Sequence, residues 1–350
     1  MANDVRVASE PLRDFTREVF VRRGVSEEDA QTEADVLVWA NLRGVDSHGV
    51  LRIPLYMGWI DAGIMNPNPN VRVLNETPAT LLIEADRALG PVVTVMAMGR
   101  VIEKAKQTGI GWAVLRNNTH QGAMAYYSLM AAKEDMAGIA IVCSPPNMAP
   151  VGARAPGVHN SPISIAVPGT KRGPLVLDMA TSVAAGGKVS LARDKGIDIP
   201  LGWALDDDGN PTTDPSKGNL LLPFGGPKGS GLAMMFECLA SLMAGNPLLG
   251  PSMAHPESPL DRGVQNSVVA AIDIGTFTDA GGYRDDVDEL IEGIKGLPRA
   301  EGTDEIFVPG EPEDRVYQDR SRNGIPLPEG TVANLREAAK KYQVELPKGL

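Results

Sequence analysis

Four histidines, His48, His120, His159 and His255, are the only side chains in this 350-residue chain that ordinarily titrate near neutrality. His48 stands in Asp46-Ser47-His48-Gly49, with Arg52 four residues later and Tyr56 four beyond that. If the segment is helical, the spacing stacks an imidazole, a guanidinium and a phenol on one face. A guanidinium grips a carboxylate through two parallel hydrogen bonds, and a neighbouring imidazole can take or give a proton. Together they suit redox chemistry at C2 of a hydroxy acid. They equally suit a histidine that caps a helix beside an Arg52–Asp46 ion pair, and the segment alone does not choose.

His120 follows the strand-like GWAVLRNN and precedes Gln121-Gly122-Ala123, small residues that let a ligand approach. The same placement suits a structural histidine. His159 and His255 lie in Pro/Gly-rich loops. Gly225-Gly226-Pro227-Lys228-Gly229-Ser230-Gly231 runs into an apolar segment, so its N–H groups and Lys228 can cradle a phosphate at a helix start, or form only a tight loop. Neither a P-loop nor a strand-bound G-x-G-x-x-G is present, so a Rossmann domain is unsupported. H-E-x-x-H, C-x-x-C and G-x-S-x-G are missing too, so neither a metal nor serine-hydrolase chemistry is expected.

The elements that must position these residues follow from periodicity. Helices are expected over 9–23 and 26–42, each opening at a serine able to cap, then a turn between Gly44 and Gly49 and a further apolar helix. A hairpin is expected over 71–84, a helix over 89–107 and a strand over 111–118. A helix over 123–135 precedes the buried strand runs GIAIVCS, PISIAVP and LVLDMA. Further helices are expected near 188–195, 232–244, 282–293 and 332–342, and a strand near 267–274. LDDDGNPTTDP reads as a surface turn, and the chain beyond Pro298 reads as loop through PGEPEDR.

At 43% hydrophobic and 22% charged residues, the chain has the makeup of a globular enzyme of about two domains. A net charge of −11 argues against nucleic-acid partners. Two cysteines, no leader-like start and no long apolar run point to the cytoplasm and away from a membrane.

Collinear segments then carry a resemblance over nearly the whole chain: RGVDSHGVLRIPLY, NNTHQGAMAYY, NMAPVGA, HNSPISIAVP, LVLDMATSVAAGGKV, IPLGWALDDDGNPTTDP, PFGGPKGSGLAMM and the late PGE. Together they resemble the type-2 malate/L-lactate dehydrogenase family, which is distinct from the Rossmann-type enzymes. The resemblance implies a non-Rossmann, mixed α/β fold, with a mixed sheet flanked by helices and an N-terminal helical region. It also implies an NAD cofactor, with NADP as the other choice, and a homodimer whose partner helps complete each site. A discontinuous helical, substrate and dimerisation region is expected over 1–115 and 260–350, and a dinucleotide-binding domain over 116–259. The implied activity is hydride transfer at C2 of a small 2-hydroxy or 2-oxo acid. A reductase of cyclic 2-carboxy imines and a silent dinucleotide-binding homodimer are the alternatives.

Carried over by position, the cofactor residues are Ser144, Asp178, Met179, Ala180, Thr181, Ser182, Lys228, Gly229, Gly310, Glu311 and Pro312. The family places its acid/base histidine in either of the two His motifs. His120 is taken as the proton acceptor, with His48 and Ser47 on the C2 oxygen, Arg52 on the carboxylate and Tyr56 beside the substrate. Two departures from the family pattern stand out, Gln121 where Phe is common and His159-Asn160-Ser161-Pro162 where Gly-Thr-Asn-Pro is more usual.

Overall fold

A computed structural model describes residues 5–256 and 263–350. The domain border expected at 259/260 lies outside the described residues. The first half holds β1 (Val5–Val7), α1 (Ser9–Arg22), α2 (Glu27–Leu42), α3 (Ile53–Asp61), β2 (Arg72–Glu76), β3 (Thr80–Glu84), α4 (Gly90–Thr108), β4 (Ile110–Asn118), α5 (Ala125–Ala132), β5 (Met136–Cys143), β6 (Ile163–Val167) and β7 (Leu175–Met179). There follow α6 (Gly186–Lys195), β8 (Ala204–Leu205), β9 (Pro211–Thr212), β10 (Leu220–Leu221), α7 (Pro227–Glu237), α8 (Leu249–Ala254), β11 (Gln265–Asp273), α9 (Ala280–Lys295), α10 (Glu311–Asn323), β12 (Ile325–Leu327) and α11 (Glu329–Tyr342).

A seven-stranded sheet, ordered β2-β3-β4-β11-β5-β6-β7, forms the centre. Only β3 and β4 pair in parallel, joined through α4; the other pairs are antiparallel. The fold is mixed α/β. β11 lies mid-sheet and its residues 265–271 are all buried, so both faces must be covered. Alternation along the strand decides which layer each residue meets. Val269 joins Ile83, Leu115, Met98 and Tyr127 under α4 and α5, whereas Val268 joins Val114, Ile141 and Phe236 under α7 and the π-helical turn Cys238–Leu242. The sheet draws β11 from the C-terminal segment and β2, β3 and most of β4 from the N-terminal one.

The N-terminal unit has its own core. Leu12, Phe20, Leu37, Ile53 and Leu335 bring α1, α2, α3 and α11 together, and β1 pairs with β12 in the register Val5↔Leu327. Both ends of the chain thereby close over the helices that carry Ser47 to Tyr56.

Three local expectations change. Residues 46–56 are not one helix: two 3-10 turns, Asp46–His48 and Val50–Arg52, precede α3. The break falls at Gly49, where an added Cβ would lie 2.2 Å from Asn41 Oδ1. α7 starts at Pro227 rather than Leu232, because Gly225 and Gly226, at φ 54° and 59°, complete the turn and proline suits a first helical turn. The stretch around PGEPEDR, expected as loop, is the start of α10. That helix buries no residue, so it has no apolar stripe to read. Its signals are terminal: Gly310 at φ 85°, a proline and three acids in the first turn, and Arg320 and Arg322 in the last.

Candidate active site

A cleft of about 1530 Å³ runs between the N-terminal helical unit and the end of the sheet. Ser47, His48, Arg52 and His120 line it, so two motifs 72 residues apart meet at one surface. The rings of His48 and His120 stack, 5.3 Å between centroids and 17° between planes. His120 is seated by α4: an added Cβ at Gly90 would lie 2.2 Å from the His120 carbonyl oxygen, so only glycine permits that approach.

The Tyr56 hydroxyl lies 2.5 Å from His120 Nδ1, and the Gly122 N–H donates to the same nitrogen at 3.3 Å. A backbone N–H can only donate, so Nδ1 accepts and the neutral ring carries its proton on Nε2. Nε2 has no protein partner among the described residues. Tyr56 is thus brought to the site from behind: it is fully buried and supports His120 rather than lining the cleft.

Asp46 does not pair with Arg52. Arg320 takes Asp46 with two contacts, 2.6 and 3.0 Å. Arg52 Nε donates to the Ser47 carbonyl at 2.7 Å, which leaves both terminal guanidinium nitrogens without a protein partner among the described residues. Ser47 Oγ lies 2.9 Å from His48 Nδ1. Burial, then the charge of Arg52, hold His48 down at about 4. The same causes, with the other two cleft histidines, hold His120 well below its ordinary value, so both rings are neutral at pH 7.

The family model described as malate/L-lactate dehydrogenase matches residues 7–336. The chain belongs to that family. The dehydrogenase is 40% identical to an L-sulfolactate dehydrogenase from Methanocaldococcus jannaschii, over 94% of this chain and 95% of the relative. The structure of the sulfolactate dehydrogenase from that organism superposes with a TM-score of 0.87 at 37% identity, covering 97% of this chain and 98% of the other. A malate dehydrogenase from Pyrococcus horikoshii is 38% identical over 98% of this chain and 97% of the relative, and a structure of that organism's enzyme gives a TM-score of 0.89. A ureidoglycolate dehydrogenase (NAD(+)) from Escherichia coli is 31% identical over 92% of this chain and 93% of the relative. The activity is that of a nicotinamide-dependent oxidoreductase of small hydroxy acids.

The cleft of the dehydrogenase suits a dinucleotide beside the acid. Gln121 and Gln265 are among the lining residues, and the amide oxygen of each is buried without a hydrogen-bond partner among the described residues. Gly310 packs so tightly that an added Cβ would lie 2.5 Å from Val176 Cγ1. Of the residues named from sequence, Ser144, Asp178, Met179, Ala180, Gly310 and Pro312 line the cleft. Thr181, Ser182, Lys228 and Gly229 do not. They form an adjoining unit in which Phe224 N donates to the Thr181 carbonyl at 2.9 Å and Ser182 bridges Pro223. Glu311 faces away from the cleft and takes Lys295 at 2.7 Å, locking the start of α10 to the end of α9.

Sequence reasoning missed several lining residues: Arg43, Asn147, Arg154, Lys188 and His159 as a cleft group. Arg43 is legible only in three dimensions, where it stacks 5.5 Å over Trp39 and pairs with Asp314 of α10. His159 is buried and held at about 3 by that burial, and Asp178, on an exposed position of β7, accepts from Ala125 N at 2.8 Å. Gln121 is fixed by Thr94 and Ser267, each 2.7 Å from its Nε2, which explains how a polar side chain occupies that core position.

Proposed function

We propose that this dehydrogenase interconverts a 2-hydroxy acid of malate or lactate type with its 2-oxo acid, and that His120 is the group that moves the proton. The observation that carries the reading is the anchoring of His120 Nδ1 by Tyr56 and Gly122, with Nε2 left for the substrate beside His48 and an unengaged Arg52 fork. The nicotinamide supplies hydride exchange at C2. Arg52 holds the substrate carboxylate through its two terminal nitrogens, and Ser47 and His48 hold the C2 oxygen. In oxidation the neutral His120 ring takes the hydroxyl proton and becomes the imidazolium, and in reduction the imidazolium gives it back to that oxygen.

Ser144, the strand end Asp178-Met179-Ala180 and Gly310-Pro312 hold the dinucleotide, with Thr181, Ser182, Lys228, Gly229 and Glu311 supporting that surface from outside the cleft. NAD is the favoured cofactor. Asp178, Asp206, Asp207 and Glu313 line the cleft alongside Arg43, Arg154 and Lys188, so the preference for NAD rests on the similarity to the ureidoglycolate dehydrogenase (NAD(+)) and not on lining charge. The imine-reductase alternative is not favoured, since no observation distinguishes an imine site here.

The described residues include no helix long and apolar enough to cross a membrane, and both cysteines are free thiols. A reducing, cytoplasmic setting agrees with this. The exposed face of Met234, Met235, Leu239, Leu242 and Met243 supports a homodimer, because so large an apolar patch is uncommon on a monomer. Light scattering at twice the chain mass is the expected result, and the mass of one chain would refute it.

Absorbance at the reduced-nicotinamide band, with NADH or NADPH and a panel of 2-oxo acids with and without added amine, tests the reading. Consumption of NADH with an acid alone is expected. Consumption only with amine present would favour imine reduction, and none with any acid would leave a dinucleotide-binding protein.

A further inference from the structure

Three histidines line the cleft, and the reading above uses only His48 and His120. The third, His159, is buried, and its backbone is pinned on both sides. Val158 bridges to Met148, Asn147 Oδ1 accepts from Asn160 N at 2.8 Å, and the Asn160 carbonyl accepts from Thr181 N at 3.1 Å. The ring is fixed as well. Ser161 Oγ donates to Cys143 Sγ at 3.6 Å, which uses its one proton, and the same oxygen lies 3.3 Å from His159 Nδ1. Toward the ring it then only accepts, so Nδ1 carries the ring proton and Nε2 holds a bare lone pair. Nε2 has no protein partner among the described residues and is not one of the fully buried polar atoms left without one, so this edge of the ring is the part that reaches the cleft.

The sheet sets how far this edge stands from the acid/base centre. Asn118, two residues before His120, is opposite Gln265 on β11, and the next residue, Asn266, is opposite Cys143 on β5. Ser161 ties His159 to that same Cys143. Two strand spacings, about 10 Å, therefore separate the anchors of the two histidines at one end of the sheet, a span that a small acid bridges. The field of His159 is among those that act on His120, in keeping with this spacing.

We propose that His159 is a specificity-determining residue: its Nε2 accepts a hydrogen bond from the side chain of the 2-hydroxy or 2-oxo acid, so the preferred substrate ends in an uncharged donor, a hydroxyl or an amide. The proposal rests on the reading of the cleft as the site of such an acid, with C2 at His120 and the carboxylate on Arg52. A second carboxylate or a sulfonate offers only acceptor oxygens and meets a lone pair. An apolar end leaves Nε2 desolvated and unpaired, so both are disfavoured. Burial holds His159 at about 3, so the ring does not take up a proton and recruit an anion at neutral pH. Arg154 and Lys188 also line the cleft, but both are exposed, and a solvated cation discriminates less than a buried acceptor.

Three 2-oxo acids of nearly one shape test this on the full-length protein: 2-oxosuccinamate ends in an amide, oxaloacetate in a carboxylate and 4-methyl-2-oxopentanoate in two methyl groups. Wild-type kcat/KM should favour the amide over each of the others by about tenfold, the scale of one hydrogen bond. His159→Phe keeps a ring and removes the acceptor, and should bring the amide and the methyl acid to within about twofold. His159→Gln, which can present an amide oxygen, should keep the preference; thermal unfolding verifies that each variant folds. NADH affinity measured without acid should be equal in all three proteins. An unchanged ratio in His159→Phe would overturn the proposal, and weakened NADH binding beside that unchanged ratio would assign the lone pair to the carboxamide of the nicotinamide instead. The second measurement needs no turnover. In nitrogen-15 spectra of histidine-labelled, NAD-bound protein, the signals lost in His159→Phe should show a protonated Nδ1 and a bare Nε2, with Nε2 shifted by 2-oxosuccinamate and not by 4-methyl-2-oxopentanoate. A proton on Nε2 would overturn the proposal and favour an anionic side chain. If no acid is turned over, the function assigned above fails, while the spectra still decide the role of His159.

Discussion

Replacing Glu33 by Gln should stabilise the protein by an amount that grows with pH. Folded, the carboxyl group is buried within α2 without a hydrogen-bond partner among the described residues and holds its proton up to about 8; in a solvated chain the ordinary value is 4.5. Between those values the unfolded chain releases the proton and the folded one keeps it, so wild-type stability falls as pH rises, by about 1.4 kcal/mol per unit. From about pH 5 to about pH 7.5 this amounts to roughly 3 kcal/mol. Glutamine occupies the same volume and carries no proton in either state, so the variant lacks this slope. The assay is urea unfolding of both proteins at several pH values across that range, with the m-values compared to exclude a change in the exposed surface. The difference in stability between variant and wild type should move by about 3 kcal/mol toward the variant. A constant difference would mean that Glu33 is ionised or solvated in the folded protein.

His120→Ala should lower kcat at least about a hundredfold, the usual scale of general acid/base catalysis; a loss below about tenfold with the fold intact would move the role to His48, where the same substitution is the comparison. Arg52→Lys keeps the charge and loses the planar fork, so kcat/KM for the acid should fall with binding of reduced cofactor unchanged, and wild-type kinetics would remove Arg52 from the site. Gly49→Ala places a Cβ against Asn41, whose Oδ1 accepts from Val50 N at 2.8 Å, so displacement of the Ser47–Arg52 turns should cut kcat/KM and cost about 2 kcal/mol; urea unfolding and kinetics together would refute this if both are unaltered.

What the sequence revealed depends on which forces leave a periodic trace. α4 and the strands β5, β6 and β7 are legible because each buries a face or a whole run against the sheet. α10 is not, because it lies on the surface and is held by ion pairs such as Lys295–Glu311, which follow no repeat. The site divides the same way. Arg52 and the two histidines were found because their side chains are rare or chemically distinctive, yet their meeting depends on Gly90 against the His120 backbone and Gly49 against Asn41, contacts that no local window contains. Glu33 is the extreme case. It stands near three acids that open α2, and in sequence it reads as one more solvated carboxylate. It is buried because α2 is covered on two sides: Leu37 faces the N-terminal core, while Trp39 meets Tyr126 and Val36 meets Gly122 on the other. A helix covered twice has no polar face to offer. An acid retained inside such a helix leaves no periodic trace, and its burial without a partner costs stability that an apolar residue of the same size would not.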